Sequence, residues 1–330
     1  MPEAEVELPE NAAEAAPASA ARRWPFVLTI VLALLGLALA GLWLQRENLA
    51  HRIIGGQLAQ YDLPATYELE QVSPLTQVLT KVVVGDPARP DFTADRVEIN
   101  IVPTLGLPAI GSVRLVRPRL YGAYESGKLS FGTLDKLLFA PSARVPGLPD
   151  LDLRLDDGRA RIETDLGPLG IKAEGRGNLR HAFSGKLAVI APELRLGGCR
   201  IDGASAYGRV TSLAGKPRFL GPLRLAAAHC PDLTTGKFAL QTNLTAAADF
   251  SSLTGQGKLA GGHIEWAGQR TAQVAGDLAL SVSKTAVAAR YKLRATGLGG
   301  VLTARSIDLE GGASSGGGLA RFEGEGQVAG

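Results

Sequence analysis

The chain has 330 residues, with 35 basic and 32 acidic side chains for a formal net charge of +3. The apolar share of 45% excludes wholesale disorder, and the small scattered charge excludes a large nucleic-acid surface. Forty-one glycines with only 5% aromatics, and no three-residue period, exclude collagen and point to many short strands joined by turns.

Residues 1–24 read as a disordered tail. Glu3, Glu5, Glu7, Glu10 and Glu14 stand among Ala and Pro before Arg22 and Arg23, and little there can fill a core. Pro25–Leu44 then runs for 20 residues without a charge. As a helix it spans about 30 Å, the thickness of bilayer hydrocarbon, and Trp24 and Trp43 mark its interfaces. The rival is a cleaved signal peptide, since Ala38-Leu39-Ala40 has the small-x-small spacing. The apolar run continues past it, which favours an uncleaved anchor. The flanking cations nearly balance; a short tail inside and a large domain outside is the simpler arrangement.

Residues 45–66 read as an amphipathic helix and linker, with Leu49, Ile53, Ile54 and Leu58 at helical spacing before Asp62 and Pro64. The helix either caps the following sheet or lies on the membrane surface.

From Tyr67 the period changes to two. Val97, Ile99 and Ile101 alternate with polar neighbours, as do Leu153 with Leu155, Ala160 with Ile162, and Leu187 with Val189. Farther on, Leu278, Leu280 and Val282 alternate, and so do Val287, Ala289, Tyr291 and Leu293. Turn signals fall at Asp156-Asp157-Gly158, Gly167-Pro168, Gly197-Gly198, Gly261-Gly262 and Gly299-Gly300. The spacing predicts about twelve to fifteen strands in a largely antiparallel arrangement. One helix is predicted at Leu134–Phe139, with Thr133 as its N-cap. A Pro-rich connection at 141–150 divides an N-terminal β-subdomain, 67–140, from a segment 141–330.

Two architectures satisfy alternation: a closed sandwich, and a long curved sheet whose apolar face stays open as a groove. Few aromatics and much glycine favour the groove. Its lining residues would include Val97, Ile99, Ile101, Leu153, Leu155, Ile162, Leu187 and Val189. Residues Ser306–Gly330 still read as strand and turn, which suggests a sheet continuing in a longer chain.

The order of these features carries a resemblance. After the anchor come Val83-Val84-Gly85-Asp86-Pro87, Ala94–Ile99, Leu120-Tyr121-Gly122, Leu129–Gly132 with Leu134–Leu138, and Leu151–Leu155 with Asp157-Gly158-Arg159. That succession resembles YdbH-type proteins of the AsmA-like group, and more loosely TamB. The resemblance implies a single-pass inner-membrane protein of a Gram-negative envelope with most of its chain in the periplasm. It implies phospholipids as cargo along an apolar β-groove, and an outer-membrane protein or lipoprotein as a further partner. A TamB-like scaffold for outer-membrane protein assembly is the alternative.

A periplasmic body would sit in an oxidising compartment, where Cys199 and Cys230 can close a disulfide; the alternative is two buried thiols. No catalytic residue, cofactor or metal is expected. Ser281-Val282-Ser283-Lys284 has the acyl-enzyme spacing but falls between strands rather than opening a helix. His263-Ile264-Glu265 lacks the cysteine pair of a deaminase zinc site. Asn243-Leu244-Thr245 fits a glycosylation acceptor, which would carry no meaning in the bacterial source that the resemblance implies.

Overall fold

The computed structural model describes residues 64–73, 75–103, 109–139, 147–283, 285–316 and 323–329. The predicted membrane span at 25–44, the amphipathic helix after it and Lys284 lie outside the described residues. Among the described residues, no helix is long and apolar enough to cross a membrane.

Alternating sequence becomes strand almost throughout. The first group is β1 (Ala65–Val72), β2 (Thr76–Asp86), β3 (Arg89–Val102), β4 (Ala109–Val116), β5 (Arg119–Glu125) and β6 (Lys128–Ser130). A 3-10 turn at Gly132–Leu134 runs into the short helix α1 (Asp135–Leu138). Long strands follow: β7 (Asp152–Thr164), β8 (Leu169–Asn178), β9 (Ser184–Leu196), β10 (Cys199–Leu213) and β11 (Lys216–Leu225). The rest are β12 (Ala227–His229), β13 (Leu233–Thr235), β14 (Phe238–Ala246), β15 (Ser252–Gly261), β16 (Ile264–Trp266) and β17 (Gln269–Thr271). The last four are β18 (Gln273–Ser283), β19 (Ala286–Leu298), β20 (Ala304–Gly316) and β21 (Glu323–Ala329).

All 21 strands described join one sheet, so the sandwich of two separate sheets does not form. Several strands are three residues long, which raises the number above the twelve to fifteen expected. The main ladder runs β1–β2–β3, then β4 and β5 end to end, then β7–β8–β9–β10–β11–β14–β15–β18–β19–β20–β21. Fifteen strand positions at about 4.8 Å give a contour of roughly 67 Å. Along one rim, β12, β13, β16 and β17 form a second, short ladder from β10.

Two-residue turns with both residues at positive φ close several hairpins, at Ser126-Gly127, Gly197-Gly198, Ala214-Gly215 and Ala267-Gly268. Their twist matches that of the flanking strands. Asp156-Asp157-Gly158 is not a turn. Asp157, at φ 50°, sits inside β7, where the register shifts between Leu155 and Gly158. The Asp-Gly pair supplies the same left-handed residue a hairpin needs, and here it makes a bulge.

The antiparallel order is broken once. β4 and β5 both run parallel to β7, pairing Ser112–Val116 with Asp152–Asp156 and Arg119–Tyr124 with Arg159–Thr164. The chain makes this crossover through α1 and the Pro-rich connection, so one sheet spans both sides of 140–150.

Thr133 is not an N-cap: no side chain caps α1, which is shorter than predicted. Thr133 instead gives its backbone N–H and its hydroxyl to Asp91 Oδ2, at 2.8 and 2.7 Å. Asp135 accepts from Ser130 Oγ and the Phe131 N–H, both at 2.6 Å. These bonds pin the turn to β3.

Candidate functional site

Strand register assigns every side chain to one of two faces, and the faces differ in chemistry. One row runs Ile99, Val113 and Leu153, each directly opposite the next. A second runs Leu79, Val97, Leu115 and Leu155. Ala160, Ile171, Val189 and Ala206 form a third. Across the later strands, Leu223 is opposite Leu240, and Leu240 opposite Leu259. Leu280 is opposite Ala289, and Leu293 opposite Leu309. This face is therefore largely apolar from β2 to β20, with Thr242 and Ser315 as buried polar members.

Seven of the eight proposed lining residues share that face through the ladder: Val97, Ile99, Leu153, Leu155, Ile162, Leu187 and Val189. Ile101 lies beyond the register shift after Asn100 and faces Ile110, so the ladder does not link it to the others. Val97 belongs to a closed end of the face. With Leu79 and Ala94 it forms a buried cluster, packed by Leu69, Ile99, Val113 and Leu115. Lys81, at φ 52°, lets β2 switch its inward side there, so that Leu79 and Val82 both reach the cluster.

Beyond this cluster the face carries no second layer of strands. Its leucines and phenylalanines on β7 to β20 are half-buried, whereas Ala191, Val274 and Ala295, with the polar Thr242 and Ser315, are buried. No side chain of the described residues combines large size with complete burial.

Glycine shapes this face. A methyl at Gly208 would meet the Phe219 ring at 2.8 Å, and one at Gly122 the Phe131 ring at 2.7 Å. Bulky side chains thus lie over glycines on the neighbouring strand. Gly175 and Gly185 are directly opposite, and a methyl on Gly175 would sit 2.8 Å from the Gly185 Cα. The backbones come too close there for any side chain.

The other face is charged. Arg96 holds Glu70 and Glu98, each at 2.7 Å. Asp157, in the bulge, lies 3.2 Å from Lys172 and accepts from Arg119 at 3.1 Å; the Lys172 bond first, then that of Arg119, holds its carboxyl below the usual carboxylate range. Burial opposes ionisation of Asp156, but the hydrogen bonds from Arg114 and Arg154 outweigh it and hold its pKa down. Across β19 and β20, Arg294 grips both oxygens of Asp308 at 2.7 and 2.8 Å, and that bond lowers the Asp308 pKa. Ion pairing on this face favours its exposure to water and leaves the opposite face to apolar contacts.

At the rim, Cys199 and Cys230 are joined by a disulfide, with Sγ atoms 2.10 Å apart, which ties the start of β10 to the β12–β13 connection. Among the described residues no cluster of His, Cys, Asp and Glu has the makings of a metal site. His263 lies beside Gly236, to whose N–H its carbonyl is bonded at 3.0 Å, and Ser281 faces Thr254 in the ladder. The second half of the apolar face, including Leu240, Leu259 and Leu293, is absent from the eight residues singled out above, although the same alternation marks it.

A family model described as "YdbH-like: Intermembrane phospholipid transport protein YdbH" matches residues 32–326. Neither a curated protein nor a solved structure matches the chain.

Proposed function

The chain belongs to the YdbH-like intermembrane phospholipid transport family, and on that premise we propose that its sheet carries phospholipid acyl chains along the apolar face. The carrying observation is that this face is continuous over the ladder and has no second layer of strands beyond its buried end. A methylene left in water costs about 0.8 kcal/mol, so an uninterrupted aliphatic lane lowers the cost of moving a lipid tail through water. The close glycine pairs favour a sheet bent toward the apolar face, forming a groove with headgroups at its open side. Residues 25–44 would anchor the chain in the inner membrane, with the sheet in the periplasm, where the disulfide is stable.

The test is phospholipid copurifying with the full chain. Leu187→Asp with Leu280→Asp places two carboxylates on the apolar face and should strip the lipid. Thr254→Asp with Ala279→Asp, on the charged face, should leave it bound. Equal lipid content in both variants would contradict the assignment.

A further inference from the structure

Charge on the polar face is unevenly matched. At one end, Arg96, Arg114 and Arg119 each hold a carboxylate; at the other, Lys292 and Arg294 do. Between them Arg176, Arg209, Arg218, Arg224, Lys258 and Arg290 are exposed, and none of their side chains has a hydrogen bond or ion pair with another described residue. The cations outnumber the nearby carboxylates: Glu174 is taken by Lys186, and Asp277, opposite Lys258, also lies in the field of Lys292.

Three large apolar side chains stand among these cations. Ile190, Tyr207 and Leu220, on adjacent strands β9, β10 and β11, are 56%, 57% and 56% exposed. Ile190 faces Ser205, two residues before Tyr207, and Leu220 faces Arg209. Beyond Leu220 the surface dips into a hollow of about 920 Å³ lined by Gln241, Asn243, Gln256 and Arg290, with Asp277 and Glu310 at its far side, the latter paired with Lys292. Asn243 Oδ1 is buried there without a hydrogen-bond partner, alone among side-chain polar atoms of the described residues.

We propose that this surface receives an acidic segment of a partner protein. An apolar side chain would seat against Ile190, Tyr207 and Leu220, and flanking carboxylates would take the unpaired arginines. Guanidinium groups bind carboxylates through paired hydrogen bonds, and Tyr and Arg anchor many protein interfaces. A flat anionic bilayer would also meet the cations, but it would not enter the hollow or bring a donor to Asn243. The proposal concerns the face opposite the apolar one and does not depend on the lipid reading.

The test uses the full chain in nanodiscs and a short labelled peptide with a central Trp-Leu pair flanked by glutamates. Saturable binding that weakens with salt is expected. Arg209→Glu with Arg218→Glu should weaken it at least about tenfold, the loss expected for a charged hydrogen bond. Tyr207→Ser, which leaves the charge intact, should also weaken it, and Lys128→Glu at the β5–β6 turn should not. The proposal is overturned if the peptide does not bind, if a lysine version binds equally, or if the variants make no difference. Binding of the apo-chain to phosphatidylglycerol vesicles through the same arginines, without peptide binding, would assign the surface to a membrane instead. Copurifying phospholipid should be unchanged in these variants, which separates this result from a failure of the apolar-face reading.

Discussion

Gly221→Ala tests whether glycines on the apolar face are required by close backbone approach. The new methyl would meet the Tyr207 carbonyl oxygen inside contact distance and the Gly208 Cα at 2.7 Å. Both are backbone atoms, so no rotamer change relieves the clash. Overpacking of this kind costs about 1–3 kcal/mol, offset by about 0.4–1 kcal/mol from the stiffer unfolded chain. A net loss of about 1–2 kcal/mol is expected, lowering Tm by roughly 2–4 °C in a unit of this size. Gly312→Ala is the matched control. It also lies mid-strand, but its methyl would come no nearer than 3.4 Å to any atom, the Ala289 oxygen. The assay is thermal unfolding followed by the strand signal in circular dichroism. Equal melting of the two variants, or a Gly221→Ala protein as stable as the parent, would refute the reasoning.

Replacing Cys199 and Cys230 with serine opens a loop of sequence separation 31 and should cost about 3–4 kcal/mol by loop entropy, read as a lower urea midpoint. Asp91→Ala removes the acceptor of two bonds from Thr133 and should cost about 1–3 kcal/mol; hydrogen exchange should rise first at Gly132–Leu138. The Arg294 hydrogen bond lowers the Asp308 pKa, so its contribution is complete above the unfolded carboxylate range and is lost as pH falls through the folded value. Asp308→Asn should therefore lower stability near neutrality and flatten its decline in acid, measured as urea midpoints across pH.

Alternation made the faces of this sheet legible, because a period of two assigns sides without knowledge of the partners. Leu153 and Leu155 needed no structure to be placed together, nor did Leu187 and Val189. Partners at long range were not legible. Thr133 has the chemistry of a cap, but its acceptor, Asp91, lies 42 residues earlier. Asp157-Gly158 has hairpin chemistry, and only the ladder shows that the chain continues straight on as a bulge. Glycine carried two meanings under one letter: Gly197-Gly198 closes a turn, whereas Gly208 and Gly221 sit in mid-strand where backbones touch. The unmatched arginines of the polar face were invisible for a similar reason, since whether Arg209 or Arg218 has a carboxylate beside it depends on register.

The most direct test of lipid carriage along the apolar face is site-specific photocrosslinking in cells, with the reactive residue at Leu187 and, separately, at Lys186. Leu187 lies on the apolar face and Lys186, bonded to Glu174 at 3.2 Å, on the charged one. Phospholipid adducts at Leu187 and none at Lys186 are predicted; adducts at both positions, or at neither, would contradict it.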